Sequence, residues 1–338
     1  VSRGAKAVVW VCGCLLVLVT LVPLVIPVRP APGTLPAAEV APGGGRFVEV
    51  EGISVYLEEA GDGEPALILL HGFGASVFSF REVIEPLTEW ARVVAFDRPG
   101  FGFTERPRRG GWQGANPYGV EGQAGLTVAL MDELGVDRAV LIGHSAGAAV
   151  AARVAIVYPE RVDALILVAP AILTSGGAPG WVRPLLAIPQ IDRLGPLAVR
   201  GFVDRLEGIL DRSWYDASRL TDGVREGYKA PLRVDGWDRG LWEILRAPSA
   251  GDIAGRLSEI CVPVLVLSGT ADEIVPPSDS LAVAEAVPGA RFALIDETGH
   301  VPHEERPADF VMLIEEFLKE RVFASQARAR ESKSSEEW

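Results

Sequence analysis

The chain has 338 residues, 49% hydrophobic and 23% charged, a composition that excludes wholesale disorder. Its net charge of −13 leaves no basic face for phosphate, so no nucleic-acid partner is expected. Three cysteines cannot build a disulfide framework, and the length allows two domains or one large α/β domain with an insertion.

Residues 7–28 carry no charge. As a helix rising about 1.5 Å per residue they span about 33 Å, enough for a bilayer core of about 30 Å. A buried core helix would be shorter and would keep a polar face. Arg3 and Lys6 precede the run; after Arg29 no Lys or Arg follows until Arg46. The positive-inside rule then puts the N-terminus in the cytoplasm and the body outside. Residues 1–29 are therefore read as an uncleaved single-pass anchor that holds the bilayer through residues 7–28. The alternative is a cleaved signal and a secreted body, although no clean A-x-A site follows. Residues 30–45, rich in Pro, Ala and Gly, read as a semi-extended linker without a core of its own.

From Arg46 onward strands and helices alternate. FVEVEG and ISVYLEEAG, divided near Gly52, predict a hairpin. ALILL (66–70) has the continuous apolar character of a strand buried on both faces. A helical segment over 80–90, a strand over 92–96 and a Gly/Pro/Arg-rich loop to about 118 follow. Next come a helix over 120–135, a strand over 139–143, a small-residue helix over 146–158 and a strand over 164–169. Further strands are expected at 263–268 and 290–296, with helices over 278–287 and 307–322. The pattern predicts a mostly parallel eight-stranded sheet with helices on both faces, over 46–170 and 251–322. Residues 171–250 interrupt it with no clear strand and four of the eight tryptophans, and read as a helical lid with a helical piece over 196–210. Its tryptophans are expected mainly to pack the lid's own core. Residues 323–338 read as a frayed polar tail.

The strongest local signal is Gly143-His144-Ser145-Ala146-Gly147, between an expected strand and an expected helix. A serine there sits on a sharp turn that holds its oxygen clear of the sheet, while the helix N-terminus offers N–H groups to a developing negative charge. Serine needs a base. Of four histidines, His300 follows the last strand and reaches the same rim; His144 is expected to point away and His303 to start a helix or contact the lid. Asp272, just past the strand 263–268, would hold the imidazole; Glu273 is its nearer rival, with Asp296 and Glu297 behind. Two backbone donors are expected for an oxyanion, the N–H of Ala146 and that of Phe73 in His71-Gly72-Phe73-Gly74. Asp97 and Arg98 are read as structural. Cys261 is expected to be buried. No metal-ligand spacing, Walker loop or dinucleotide fingerprint occurs, so neither metal nor cofactor is expected.

HGFGAS (71–76), DRPGFGFTERP (97–107), GHSAGA (143–148), SGTADEIVPP (268–277) and ETGHVPHEERP (297–307) together resemble the α/β-hydrolase superfamily over about residues 46–322. They look like its lid-bearing subgroup of esterases, meta-cleavage-product C–C hydrolases, haloalkane dehalogenases, epoxide hydrolases and cofactor-free haloperoxidases. The resemblance implies Ser145 as nucleophile, Asp272 as acid, His300 as base, and Phe73 and Ala146 as oxyanion donors. Dehalogenases and epoxide hydrolases of this group use aspartate where Ser145 stands. Meta-cleavage hydrolases usually carry a tryptophan soon after the catalytic histidine, where this chain has Val301-Pro302-His303. Hydrolysis of a carboxylic ester of a small to medium apolar substrate is therefore expected, with C–C, lactone or amide hydrolysis as the alternative and a non-catalytic binding role behind both.

Overall fold

The computed structural model describes residues 2–173, 181–201, 203–247 and 252–323. Eight strands, β1 (Arg46–Val50), β2 (Ile53–Ala60), β3 (Ala66–Leu70), β4 (Arg92–Phe96), β5 (Ala139–His144), β6 (Val162–Val168), β7 (Val264–Gly269) and β8 (Arg291–Ile295), form one sheet in the order β1-β2-β4-β3-β5-β6-β7-β8. β2 runs antiparallel to β1 and β4, and every other pair is parallel. Each expected strand is present to within two residues.

The principal helices are α1 (Arg3–Val25), α2 (Val120–Glu133), α3 (Ala146–Val157), α4 (Pro189–Arg200), α5 (Val203–Ser213), α6 (Asp222–Lys229), α7 (Trp237–Arg246), α8 (Pro277–Ala286) and α9 (Pro307–Leu318). The central strands alternate side chains between two cores, as a pleat of period two requires. Ile68, Leu70, Leu141 and Val266 face α2, α3 and α8, whereas Leu67, Leu69, Ile142 and Leu267 face Phe310, Ile314 and Phe317 of α9.

The helical segment expected over 80–90 is a short helix, Ile84–Thr88, which carries Pro86 and is preceded by a 3₁₀ turn, Val77–Phe80. The lid piece expected over 196–210 is broken, with α4 closing on Gly201 and α5 beginning at Val203. Residues 30–45 are docked rather than free. Leu35 bridges Val234, the Tyr56 hydroxyl donates to Pro42 O at 2.9 Å, and Ala37, Val40 and Ala41 pack against the core. Cys261 is exposed, not buried. It stands between Ile260 and Val262, which pack inward, so an extended backbone turns Cys261 out. The tail expected over 323–338 lies, beyond Phe323, outside the described residues.

Among the described residues only α1 is long and apolar enough to cross a membrane, by length and composition. It stops at Val25 because Pro27 disfavours the helical region for Ile26, which adopts φ −59°, ψ 124°. Its C-terminal end rests on α4. Gln190 Nε2 donates to Thr20 O at 2.9 Å, and the Arg193 guanidinium donates to Ile26 O at 3.0 and 3.2 Å.

Candidate active site

Ser145 lies where β5 turns into α3, with φ 52° and ψ −117°. A non-glycine residue there costs about 1–3 kcal/mol and persists only when its surroundings enforce it. They do so through backbone bonds, Ser145 N–H to Val168 O at 2.8 Å, and Ala148 N–H and Ala171 N–H to Ser145 O at 3.0 and 3.2 Å. The flanking glycines are required by close approach. A Cβ on Gly147 would lie 2.2 Å from Leu70 O, and one on Gly143 would lie 2.6 Å from Ala148 Cα. Small side chains in α3, such as Ala148, Ala151 and Ala152, let the helix settle against the sheet.

Asp272 and His300 come together from the loops after β7 and β8. His300 Nδ1–H donates to Asp272 Oδ2 at 2.8 Å, while Asp272 Oδ1 accepts from Ile274 and Val275 N–H at 2.8 and 2.9 Å. The carboxylate is fully buried and its oxygens are committed, so it fixes the ring tautomer with the lone pair on Nε2. The rivals are occupied elsewhere: Glu273 faces Arg212, Glu297 binds Arg306 at 2.6 Å, and Asp296 is exposed.

The loop after β3 lies against the serine turn, since a Cβ on Gly72 would be 3.2 Å from Ser145 Cβ. His71 pins this loop. Its Nδ1 pairs with Gly72 O at 2.8 Å and its Nε2 with Arg98 N–H at 3.0 Å. Those partners suit one donor and one acceptor, hence a neutral ring, and burial reinforced by Arg98 pushes its pKa well down. Arg98 also donates to Gln123 Oε1 and Gly72 O. Asp97 accepts from Val77 and Phe103 N–H at 2.7 and 2.6 Å, and burial raises its carboxyl to about 7. The structural reading of both residues agrees with these bonds.

Sequence reasoning missed a buried cluster below the site. His144 is turned inward, with Nε2 2.8 Å from His300 O and its ring centroid 4.8 Å from that of His300 and 4.7 Å from that of His303. It thus holds the backbone of the His300 loop. Burial, then His303 and His300, drive the His144 pKa well down; burial, then His300 and Arg81, bring that of His303 to about 3. Beneath them Glu304 binds Arg81 at 2.6 Å and Tyr228 of α6, and burial lifts its carboxyl to about 7. Glu305 ties the His300 loop to the helical insertion through Gly299 N–H at 2.6 Å and Tyr215 N–H at 2.9 Å, and His300 N–H donates to Ser213 O at 2.7 Å.

Ser145, His300, Phe73 and Ala146 all line one cavity of about 620 Å³. Its opposite wall comes from the insertion, through Leu210, Tyr228, Trp237, Leu241 and Ile244. Of the four insertion tryptophans, Trp214 and Trp242 are buried, Trp237 reaches the cavity, and Trp181 is 76% exposed. Among the described residues no group of His, Cys, Asp and Glu is arranged to hold a metal.

A family model described as the alpha/beta hydrolase fold matches residues 65–307. The chain is 30% identical to a 2-hydroxy-6-oxo-2,4-heptadienoate hydrolase of Pseudomonas putida, over 81% of this chain and 96% of that one. It is 31% identical to a 2-hydroxy-6-oxo-6-phenylhexa-2,4-dienoate hydrolase of Comamonas testosteroni, over 79% and 92%. Among solved structures, a meta-cleavage product hydrolase superposes with a TM-score of 0.64 at 26% identity, covering 82% of this chain and 98% of that one. A membrane phospholipase A superposes with a TM-score of 0.62 at 25% identity, covering 94% and 98%. The model match across most of the body, on a sheet with this strand order, shows that the chain belongs to the α/β-hydrolase family.

Proposed function

We propose that the protein is a membrane-anchored serine hydrolase that cleaves a carboxylic ester with an apolar acyl or alcohol part. The observation that carries this reading is the joint placement of Ser145, on its left-handed turn, and the His300–Asp272 pair on one largely apolar cavity. In this reading Ser145 Oγ attacks the ester carbonyl as His300 Nε2 takes its proton, and the N–H groups of Phe73 and Ala146 receive the oxyanion. His300 then protonates the leaving alcohol, and water, activated by the same imidazole, releases the acid. The chemistry needs no cofactor.

Two observations favour an ester held at a membrane. The solved membrane phospholipase A matches 94% of this chain, a share that reaches into residues 1–45 ahead of the sheet, whereas the solved meta-cleavage product hydrolase covers 82%. The helix Arg3–Val25 also has the length and apolar character of a single-pass anchor. A bilayer lipid ester is accordingly the substrate class proposed. The second reading is C–C bond hydrolysis of a dienone acid, supported by the two curated relatives at 30 and 31% identity.

The detergent-solubilised full chain is to be assayed on p-nitrophenyl esters of graded chain length, on phosphatidylcholine vesicles, and on a 2-hydroxy-6-oxodienoate. Ester turnover and fluorophosphonate labelling, both abolished in Ser145→Ala, are the expected result. Turnover of the dienoate alone moves the assignment to C–C hydrolysis. Absence of both turnover and labelling in the wild type overturns the catalytic reading.

A further inference from the structure

The helical insertion carries an apolar surface that its own packing does not use. Nine residues between 181 and 198 are exposed, and all nine are apolar. The largest are Trp181 at 76%, Leu185 at 47%, Ile191 at 39%, and Ile188 and Leu197 at 38%. The polar members of the same stretch face inward. Asp192 accepts from Trp242 Nε1 and Arg246 Nη1, both at 2.9 Å, and Gln190 and Arg193 turn toward α1. A water-facing helix shows the reverse pattern, as α6 does with Asp222 outward. An apolar patch of this kind marks an interaction surface.

Its place beside α1 identifies the occupant. Gln190 bonds Thr20 O and Arg193 bonds Ile26 O, so α4 begins alongside the last turns of α1 rather than above them. Thr20 lies five residues short of the end of α1 at Val25, about 8 Å along its axis. If residues 7–28 cross the bilayer, Thr20 lies about 12 Å inside its outer boundary and Ile26 about 3 Å inside, so the first turn of α4 lies within the acyl region of the outer leaflet. Trp181 suits the headgroup boundary, where an amphipathic ring is stable. The body is strongly acidic, so attraction to anionic lipid does not bring this face down; apolar burial does.

We propose that the apolar face of residues 181–198 is a second membrane contact, seated in the upper acyl region of the bilayer that α1 crosses. This inference rests on the anchor reading of α1. It makes the helical insertion part of the membrane-bound surface, with α7 packed between α4 and the cavity.

The test uses the full chain with Cys12, Cys14 and Cys261 changed to serine, all three being exposed. Single cysteines are introduced by Leu185→Cys, Ile188→Cys, Val17→Cys and Asp222→Cys. Each is labelled with an environment-sensitive fluorophore and reconstituted into phosphatidylcholine vesicles that contain lipid with a nitroxide near the top of one acyl chain. Circular dichroism melts check that each variant is folded. The labels at 185 and 188 are expected to lose more than about half their emission, while the label at 222 stays within about a tenth of its value in nitroxide-free vesicles. Quenching at 17 without quenching at 185 and 188 overturns the second contact and leaves the anchor intact. No quenching at 17 removes the anchor reading and the proposal with it. Shielding at 185 that follows protein density rather than nitroxide content assigns the face to a second copy of the chain, and also overturns the proposal.

Discussion

Replacing Asp272 by asparagine changes one atom and reverses the logic of the histidine beside it. The carboxylate accepts three hydrogen bonds, two at Oδ1 from Ile274 and Val275 N–H and one at Oδ2 from His300 Nδ1–H. Asparagine has one acceptor oxygen. The two backbone donors claim it, because losing both would leave buried N–H groups unpaired at about 1–3 kcal/mol each. The amide NH₂ then faces Nδ1, and two donors cannot meet. The ring responds by moving its proton to Nε2, which removes the lone pair that would accept the Ser145 proton. A tautomer fixed the wrong way costs a serine triad about 10⁴ in kcat, or ~5 kcal/mol of barrier. Fold stability falls much less, since the backbone bonds persist as neutral ones. A loss of about 1–2 kcal/mol corresponds to a Tm lower by roughly 2–8 °C in a chain of this size. The assay is kcat on a p-nitrophenyl ester together with the rate of fluorophosphonate labelling, with a thermal melt on the same preparation. If Asp272→Asn keeps kcat within about tenfold of wild type while its melt is unchanged, Asp272 does not set the tautomer and the reasoning fails.

Four further outcomes follow from the geometry. Gly147→Ala drives a Cβ to 2.2 Å from Leu70 O and 2.6 Å from His71 O, both backbone, so α3 must shift; a loss of roughly 3 kcal/mol is expected in urea unfolding, and a wild-type midpoint would refute the packing argument. His303 titrates near 3 when folded against 6.5 when unfolded, so between these pH values the unfolded chain holds a proton that the folded chain lacks. Stability therefore falls on acidification through that window, by about 1.4 kcal/mol per pH unit for this group, and His303→Leu should flatten the measured slope by that amount. Asp97 acts in the opposite sense. Its folded value of about 7 exceeds 3.8, so its contribution is complete below pH 3.8 and is lost as pH rises to 7. Asp192→Ala removes the acceptor shared by Trp242, Arg239, Arg246 and Arg109; amide hydrogen exchange in α4 and α7 should quicken by at least about tenfold while the central strands stay protected.

The centre of the sheet was legible because β3 to β7 are written in apolar runs of four or more residues whose burial leaves little freedom in reading them, while β1 and β2 showed as an alternating hairpin. The serine turn was legible for a related reason. Gly143 and Gly147 stand where no Cβ fits, and that local constraint shows in five consecutive letters. Helix continuity was less visible. Residues 196–210 contain two glycines, Gly201 and Gly208, and the letters alone do not say that α4 ends at the first while α5 runs through the second. The docking of residues 30–45 was invisible, since Leu35 meets Val234 about two hundred residues away and a Pro/Gly-rich stretch has no periodicity to read. The Arg81–Glu304–Tyr228 network was hidden by the same distance along the chain. The pairing of His144 with the His300 carbonyl was hidden in the same way, since 156 residues separate them.

The short backbone bond from His300 N–H to Ser213 O, braced by Glu305, has a mechanical consequence. The end of α5 and the loop bearing the imidazole form one hinge-free block. Any motion that swings the insertion outward from that side would carry the histidine along, away from the cavity wall that Ser145 forms. The proposed chemistry then leaves substrate entry to the far rim, where α4 and α7 pack against Phe101.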